Sequence, residues 1–199
     1  ASGDDGVHAD YKLNLGTSGS NNTSSPKVNV TKSAEALEGA QVNIYSGDID
    51  VVASDDGINA ANKNLGSSSS QYDFQLNIAG GDVYVNAQGD GLDSNGDITV
   101  SGGTTRVFGS SSGGDGVFDI GDTSNDTFVV TGGTLLGVGT SDMAIVPTSG
   151  NYVVFGASGM GGNTGGMGGN TGGMGGNPGG GMWRMDDSES SDLSTQASS

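Results

Sequence analysis

The chain has 199 residues, 40 of them Gly, with no Cys, and 6 Lys and Arg against 23 Asp and Glu give it a formal charge of −17. That balance repels the phosphates of DNA, RNA and anionic lipid, and no run approaches the roughly 18 to 20 apolar residues of a membrane-spanning helix, so nucleic-acid binding and membrane insertion are excluded. Zero Cys removes disulfides and thiol chemistry.

Along the chain the apolar residues alternate, the period of a strand with one buried face. Val28/Val30, Val42/Ile44, Ile49/Val51, Leu76/Ile78, Val83/Val85, Ile98/Val100 and Phe128/Val130 each form such a pair, and Gly, Asn, Asp and Ser fill the intervals. Those residues make tight turns, so the fold class is all-β and no helix is predicted. From Met160 the heptapeptides MGGNTGG, MGGNTGG and MGGNPGG follow one another. Nothing in them offsets the entropy of ordering a Gly-rich backbone. The organisation is therefore a folded unit over 1–155, a disordered Gly/Met/Asn-rich linker or loop over 156–182, and a polar acidic tail over 183–199, where Trp183 reads as a docking anchor or an unstructured residue.

Within 1–155 a repeat is visible. Asp4-Asp5-Gly6-Val7-His8-Ala9 recurs as Asp55-Asp56-Gly57-Ile58-Asn59-Ala60, Gly89-Asp90-Gly91-Leu92-Asp93-Ser94 and Gly114-Asp115-Gly116-Val117-Phe118-Asp119, with a divergent copy from Ala34 to Gly39. A second Gly element appears at Ser46-Gly47-Asp48, Gly80-Gly81-Asp82, Gly102-Gly103-Thr104 and Gly132-Gly133-Thr134. Strand, tight turn, strand, acidic turn is the unit of a parallel β-helix with three short strands per coil; Lys63–Gln71 and Asp122–Asp126 read as loops inserted into it.

Stacked copies lie about 4.8 Å apart. They put Asp5, Glu35, Asp56, Asp90 and Asp115 in one column, and His8, Glu38, Asn59, Asp93 and Phe118 in another. Two carboxylates at that spacing repel by about 0.9 kcal/mol in water and about 3.5 kcal/mol at an effective dielectric near 20. With so few Lys and Arg, a cation from solution has to neutralise the columns, and hard oxygen-rich sites of this kind select Ca²⁺. The bland alternative is that Asp-Gly pairs merely form turns. Neither the nonapeptide calcium repeat, for want of a nine-residue period and with Phe118 where it needs Asp, nor the helix-loop-helix calcium loop fits.

The phrases ALEGAQVNIYSGDIDVVASDDGINAAN (36–62) and DVYVNAQGDGLDSNGDITVSGGTTRVFG (82–109) resemble the clostridial-type bacterial carbohydrate-binding domain family. The resemblance covers residues 3 to about 144 and implies a right-handed parallel β-helix like that of pectate lyases, bound calcium, and binding of cellulose and acidic sugars. It implies Asp55, Asp56, Asn59, Asp90 and Asp93 as calcium ligands, with Asp4, Asp5, Glu35 and Glu38 of the preceding repeats, and Asp115 extends the set by column. Two departures are Ala34, where members often carry an aromatic residue, and a chain that opens in mid-coil, which reads as an N-terminally truncated member or a piece left after removal of a signal peptide.

The function that follows is non-catalytic, extracellular or cell-surface binding of plant cell-wall polysaccharide, cellulose or an acidic pectin-type glycan. Calcium would bridge protein and uronate carboxylates, and Tyr45, Asp50, Tyr84 and Arg106 would contact the glycan, with Tyr72 as a further candidate. The rival readings are a calcium-dependent lyase on polygalacturonate, for which Arg106 would have to serve as base, and a structural spacer or adhesin solenoid. The single histidine, His8, reads as a solvated group or a neighbour of the calcium site rather than a catalyst.

Overall fold

The computed structural model describes residues 1–19, 25–62, 74–111, 114–121, 123–140 and 145–150, together with the backbone of 153–157. Eleven strands make up the described structure: β1 (Val7–Leu15), β2 (Lys27–Val30), β3 (Leu37–Ile44), β4 (Asp48–Ala53), β5 (Ile58–Ala60), β6 (Gln75–Ile78), β7 (Asp82–Ala87), β8 (Leu92–Ser94), β9 (Asp97–Phe108), β10 (Phe128–Thr140) and β11 (Val153–Ala157). No helix occurs among the described residues, in keeping with the all-β reading. Tyr72, the insertion 63–71, Asp122, the segment 158–182 and the tail with Trp183 lie outside the described residues.

Every strand pair is parallel. The expected β-helix of three short strands per coil is overturned by the way the pairs join. They form one 11-stranded sheet with the open order β2-β4-β7-β9-β6-β3-β5-β8, to which β1, β10 and β11 attach. The cause is local. β9 pairs with β6 through its first residues and with β7 through its last, so one continuous strand belongs to two ladders. Gly102-Gly103 and Gly132-Gly133 carry β9 and β10 through the bend without ending the strand, and Gly103 and Gly133 hold φ of 76° and 78° there. A side chain at that φ costs about 1–2 kcal/mol, and a Cβ on Gly103 would come within 2.5 Å of the Gly81 carbonyl oxygen.

Burial follows the alternation. Ile49, Val51, Val83, Val85, Leu76, Ile78, Ile98 and Val100 are fully buried and join one hydrophobic cluster with Leu37, Ile58, Leu92 and the edge-to-face pair Phe118–Phe128. The residues between them face out, which places the polar side chains in registered rows one ladder spacing apart.

One such row escaped the sequence reading. Asn14, Asn43 and Asn77 stand in register, Asn43 Nδ2 donating to Asn14 Oδ1 at 3.0 Å and Asn77 Nδ2 to Asn43 Oδ1 at 2.9 Å. The phrases KLNL, QVNI and QLNI carried the signal.

A row of carboxylates as the candidate cation site

The acidic turns come together because their backbones are paired. Gly6 N donates to the Glu35 carbonyl at 2.8 Å, Ala36 N to Asp56 at 3.1 Å, and Gly57 N to Asp90 at 2.8 Å. At Gly6 and Gly57 the approach is too close for a side chain, although Ala36 fills the equivalent place between them: a Cβ on Gly57 would lie 2.2 Å from Val85 Cγ1 and 2.5 Å from the Gly91 carbonyl oxygen. Strand register then aligns the second set, with His8 opposite Glu38, Glu38 opposite Asn59, and Asn59 opposite Asp93.

At the fifth copy the alignment slips. Leu92 pairs with Phe118, so Asp119 rather than Phe118 stands beside Asp93, and Phe118 is buried in the core. Gly116 N donates to Asp90 Oδ1 at 2.5 Å, the place taken one copy earlier by Asp90 N on Asp56 Oδ1 at 2.8 Å. Asp115 therefore sits one residue ahead of its column. An extra residue in that copy, with Val117 where the others have Gly or Ala, is the feature that conceals Asp119 in the sequence.

Some of these carboxylates have ordinary structural work. Asp56 and Asp90 each hold the next turn by accepting its N–H. The others are less well satisfied. Asn59 hydrogen-bonds Glu35, yet Glu35 Oε2 and Asn59 Oδ1 are buried with no partner among the described residues, and Asn59 as a residue is only 6% exposed. Buried acceptors left this way cost about 1–3 kcal/mol each.

Crowding shows in the proton affinities. Burial, and then the charges of Asp56, Asp119, Asp90 and Glu35, push Asp93 up to about 8. Burial is again the leading cause for Asp90 and Glu35, both raised to about 7, and for Asp56, raised to about 6, with neighbouring carboxylates adding to each. Glu38 is raised as well, by burial first and then by contact with Asp5, against the opposing pull of His8. Among the described residues, Lys27 and Arg106 spend their charge elsewhere, on Asp48 and Asp82.

Of the predicted metal ligands, Asp5, Glu35, Glu38, Asp56, Asn59, Asp90 and Asp93 lie along one row of paired turns and strands, and among the described His and acidic residues only Asp5 and Glu38, together with His8, form a group of three whose ligand atoms all lie within 4.8 Å of one another. Asp55 is exposed beside them and adds its charge to Glu35 and Asp56. Asp4 is exposed, engaging the structure through its backbone, and it does not join the row. The oxygen-only donors along most of the row, with two of them unpartnered, fit a hard divalent cation.

The predicted glycan contacts divide. Asp50, Tyr84 and Arg106 stand opposite one another across β4, β7 and β9, with Leu136 of β10 next in line. Tyr84 leans on Phe108 with ring centroids 5.6 Å apart, and Arg106 is paired with Asp82. Tyr45 lies apart from them, at the bend after β3, where its N–H donates to the Leu15 carbonyl at 2.8 Å. Compared with protein-family models, curated proteins and solved structures, the chain matches none.

Proposed function

We propose that the row Glu35, Asp56, Asn59, Asp90 and Asp93 binds Ca²⁺ and that the chain is a non-catalytic, calcium-stabilised binder of polysaccharide. The observation that carries this reading is the buried pair Glu35 Oε2 and Asn59 Oδ1, unpartnered among the described residues and set beside carboxylates that raise one another's proton affinity. A divalent ion supplies the missing partner for both atoms and relieves the repulsion along the row. Its remaining coordination sites can take oxygens from outside the protein, and a uronate carboxylate is the natural occupant where a surface charged −17 would otherwise reject an acidic glycan. Millimolar calcium outside the cell suits sites of this kind, which supports an extracellular or cell-surface setting.

The outward-facing line of exposed Asp50 and half-buried Tyr84 and Arg106 supports a glycan role through one ring edge and one guanidinium. Cellulose would use the ring and hydroxyl hydrogen bonds; an acidic pectin-type glycan would add the metal. The pairing of Arg106 with Asp82 weighs against the lyase reading, because it engages the guanidinium within the protein.

Sedimentation with insoluble cellulose and with calcium-crosslinked polygalacturonate, each with and without chelator, tests the proposal. Retention on either glycan that chelator abolishes is the expected result. Absence of binding to both glycans in calcium overturns the glycan role, and growth of the absorbance of unsaturated uronate in the supernatant would replace it with the lyase.

A further inference from the structure

We propose that Asp5, His8 and Glu38 form a site for a borderline divalent transition ion of the Zn²⁺ class, with His8 Nδ1 and one oxygen of each carboxylate as ligands. Their ligand atoms all lie within 4.8 Å of one another, with His8 Nδ1 2.7 Å from Glu38 Oε2 and 3.1 Å from Asp5 Oδ2. Ligand atoms on a tetrahedral Zn²⁺ at about 2.0–2.2 Å stand about 3.3–3.6 Å apart. An opening of about 0.6–0.9 Å between His8 and Glu38, and about 0.2–0.5 Å between His8 and Asp5, therefore admits the ion.

Strand geometry builds this end of the row differently from the rest. His8 on β1 is registered opposite Glu38 on β3, and Asp5 comes from the acidic turn just ahead of β1. The Glu38 side chain is 6% exposed and that of Asp5 11%, whereas the His8 side chain at 35% leaves the site open to solvent and to an entering ion. Two carboxylates, a neutral imidazole and a doubly charged ion sum to zero, which removes the cost of holding two negative groups in a half-buried place. A fourth position remains for water.

The imidazole is oriented from behind. Its other nitrogen, Nε2, lies 3.1 Å from Asp10 Oδ1, the arrangement in which a metal-ligating histidine gives its second N–H to a carboxylate, and the ion would take the place of a proton on Nδ1, which faces Glu38 and Asp5. Asp10 is set there by an irregularity. The β1–β3 register shifts between Ala9 and Lys12, and Asn62 donates to the Asp10 carbonyl, fastening the extra residues. Asp10 is thus a positioning residue, and nothing in a calcium site built from oxygens calls for it. The imidazole selects against Ca²⁺ and for the softer ion.

This inference does not require calcium elsewhere in the row, and the two separate cleanly in experiment. The sequence has one histidine and no cysteine, so the His8 ring signals in an NMR spectrum of the whole chain report on this site alone. With excess Ca²⁺ present throughout, one equivalent of Zn²⁺ is expected to shift the His8 ring signals, Co²⁺ to give the visible bands of a tetrahedral nitrogen–oxygen site, and competition with a chromophoric chelator to give one tight site. H8Q is expected to lose that site by at least about tenfold in affinity, and D10N to weaken it by about 10–100-fold while it keeps the response to Ca²⁺. Unmoved His8 signals in the native chain, or Zn²⁺ bound equally well by H8Q, overturn the site; an unchanged affinity in D10N overturns the role of Asp10. A native chain that takes Zn²⁺ while Ca²⁺ leaves its stability unaltered would sink the calcium reading alone.

Discussion

Asp93 illustrates what the row costs a protein without bound ions. Its carboxyl belongs to the ordinary range when the chain is unfolded and is pushed up to about 8 when folded, and Asp90, Glu35 and Asp56 move the same way. A raised carboxyl binds its proton more tightly in the folded state, so folding is favoured by acid and loses stability as pH rises from about 4 through the folded values. In chelator, the urea midpoint is therefore expected to fall steadily between pH 5 and pH 8.5, and a flat profile would show that the row is not crowded in solution. D93N probes the same balance from both sides. At pH 8 in chelator it is expected to raise the midpoint, because a charge leaves a repulsive site; in Ca²⁺ it is expected to lose part of the stabilisation that the native chain gains. The same sign in both media would mean that Asp93 does not meet the ion.

Between one strand and the next, the close approach at the acidic turns and the asparagine row carry the energetics. Gly57→Ala would drive a methyl into Val85 and the Gly91 carbonyl, and an overpacked site of that kind costs about 1–3 kcal/mol. Asn43→Ala would remove both the donor to the exposed Asn14 and the acceptor for the half-buried Asn77, at a cost of about 0.5–1.5 kcal/mol for each hydrogen bond lost. Chemical denaturation measures both, and a loss under about 0.5 kcal/mol in either variant would place these contacts at the surface. These elements also mark how far the sequence could be read. Parallel pairing of the copies and the outward-facing line Asp50, Tyr84, Arg106 and Leu136 follow from the spacing of short patterns, because an i, i+2 alternation fixes which side chains share a face. The merging of the ladders into one sheet was hidden, since a Gly-Gly pair reads alike whether it ends a strand, as before Asp82, or carries it onward, as in β9. Asp119 was hidden by a single added residue, which in a strand moves every later side chain to a new partner. Asp10 was hidden for a related reason, its place on His8 depending on the irregularity in β1 that no pattern announces.

At the scale of the molecule, one hydrophobic cluster among the described residues reaches from Leu15 to Leu135 with members in every strand from β1 to β10, so these strands are expected to unfold in one transition. A body carrying −17 pays for compactness by self-repulsion, and added salt of any kind weakens that repulsion. Screening and site binding therefore both raise the melting temperature, but they differ in form. Screening depends on ionic strength alone and acts over the Debye length, about 8 Å at physiological salt. Binding to the folded state depends on the ion and follows the logarithm of its concentration above the dissociation constant. Melting in chelator with increasing NaCl, set against melting in CaCl₂ and MgCl₂ at matched ionic strength, separates the two. The expected order is calcium well above magnesium, with magnesium close to sodium, because Mg²⁺ demands a tighter octahedron and gives up its water reluctantly, whereas a row of strand-borne oxygens at about 4.8 Å repeat suits the longer, more adaptable bonds of Ca²⁺. Three coincident curves would mean that the carboxylates act only as a diffuse field, and the calcium row would fall with them.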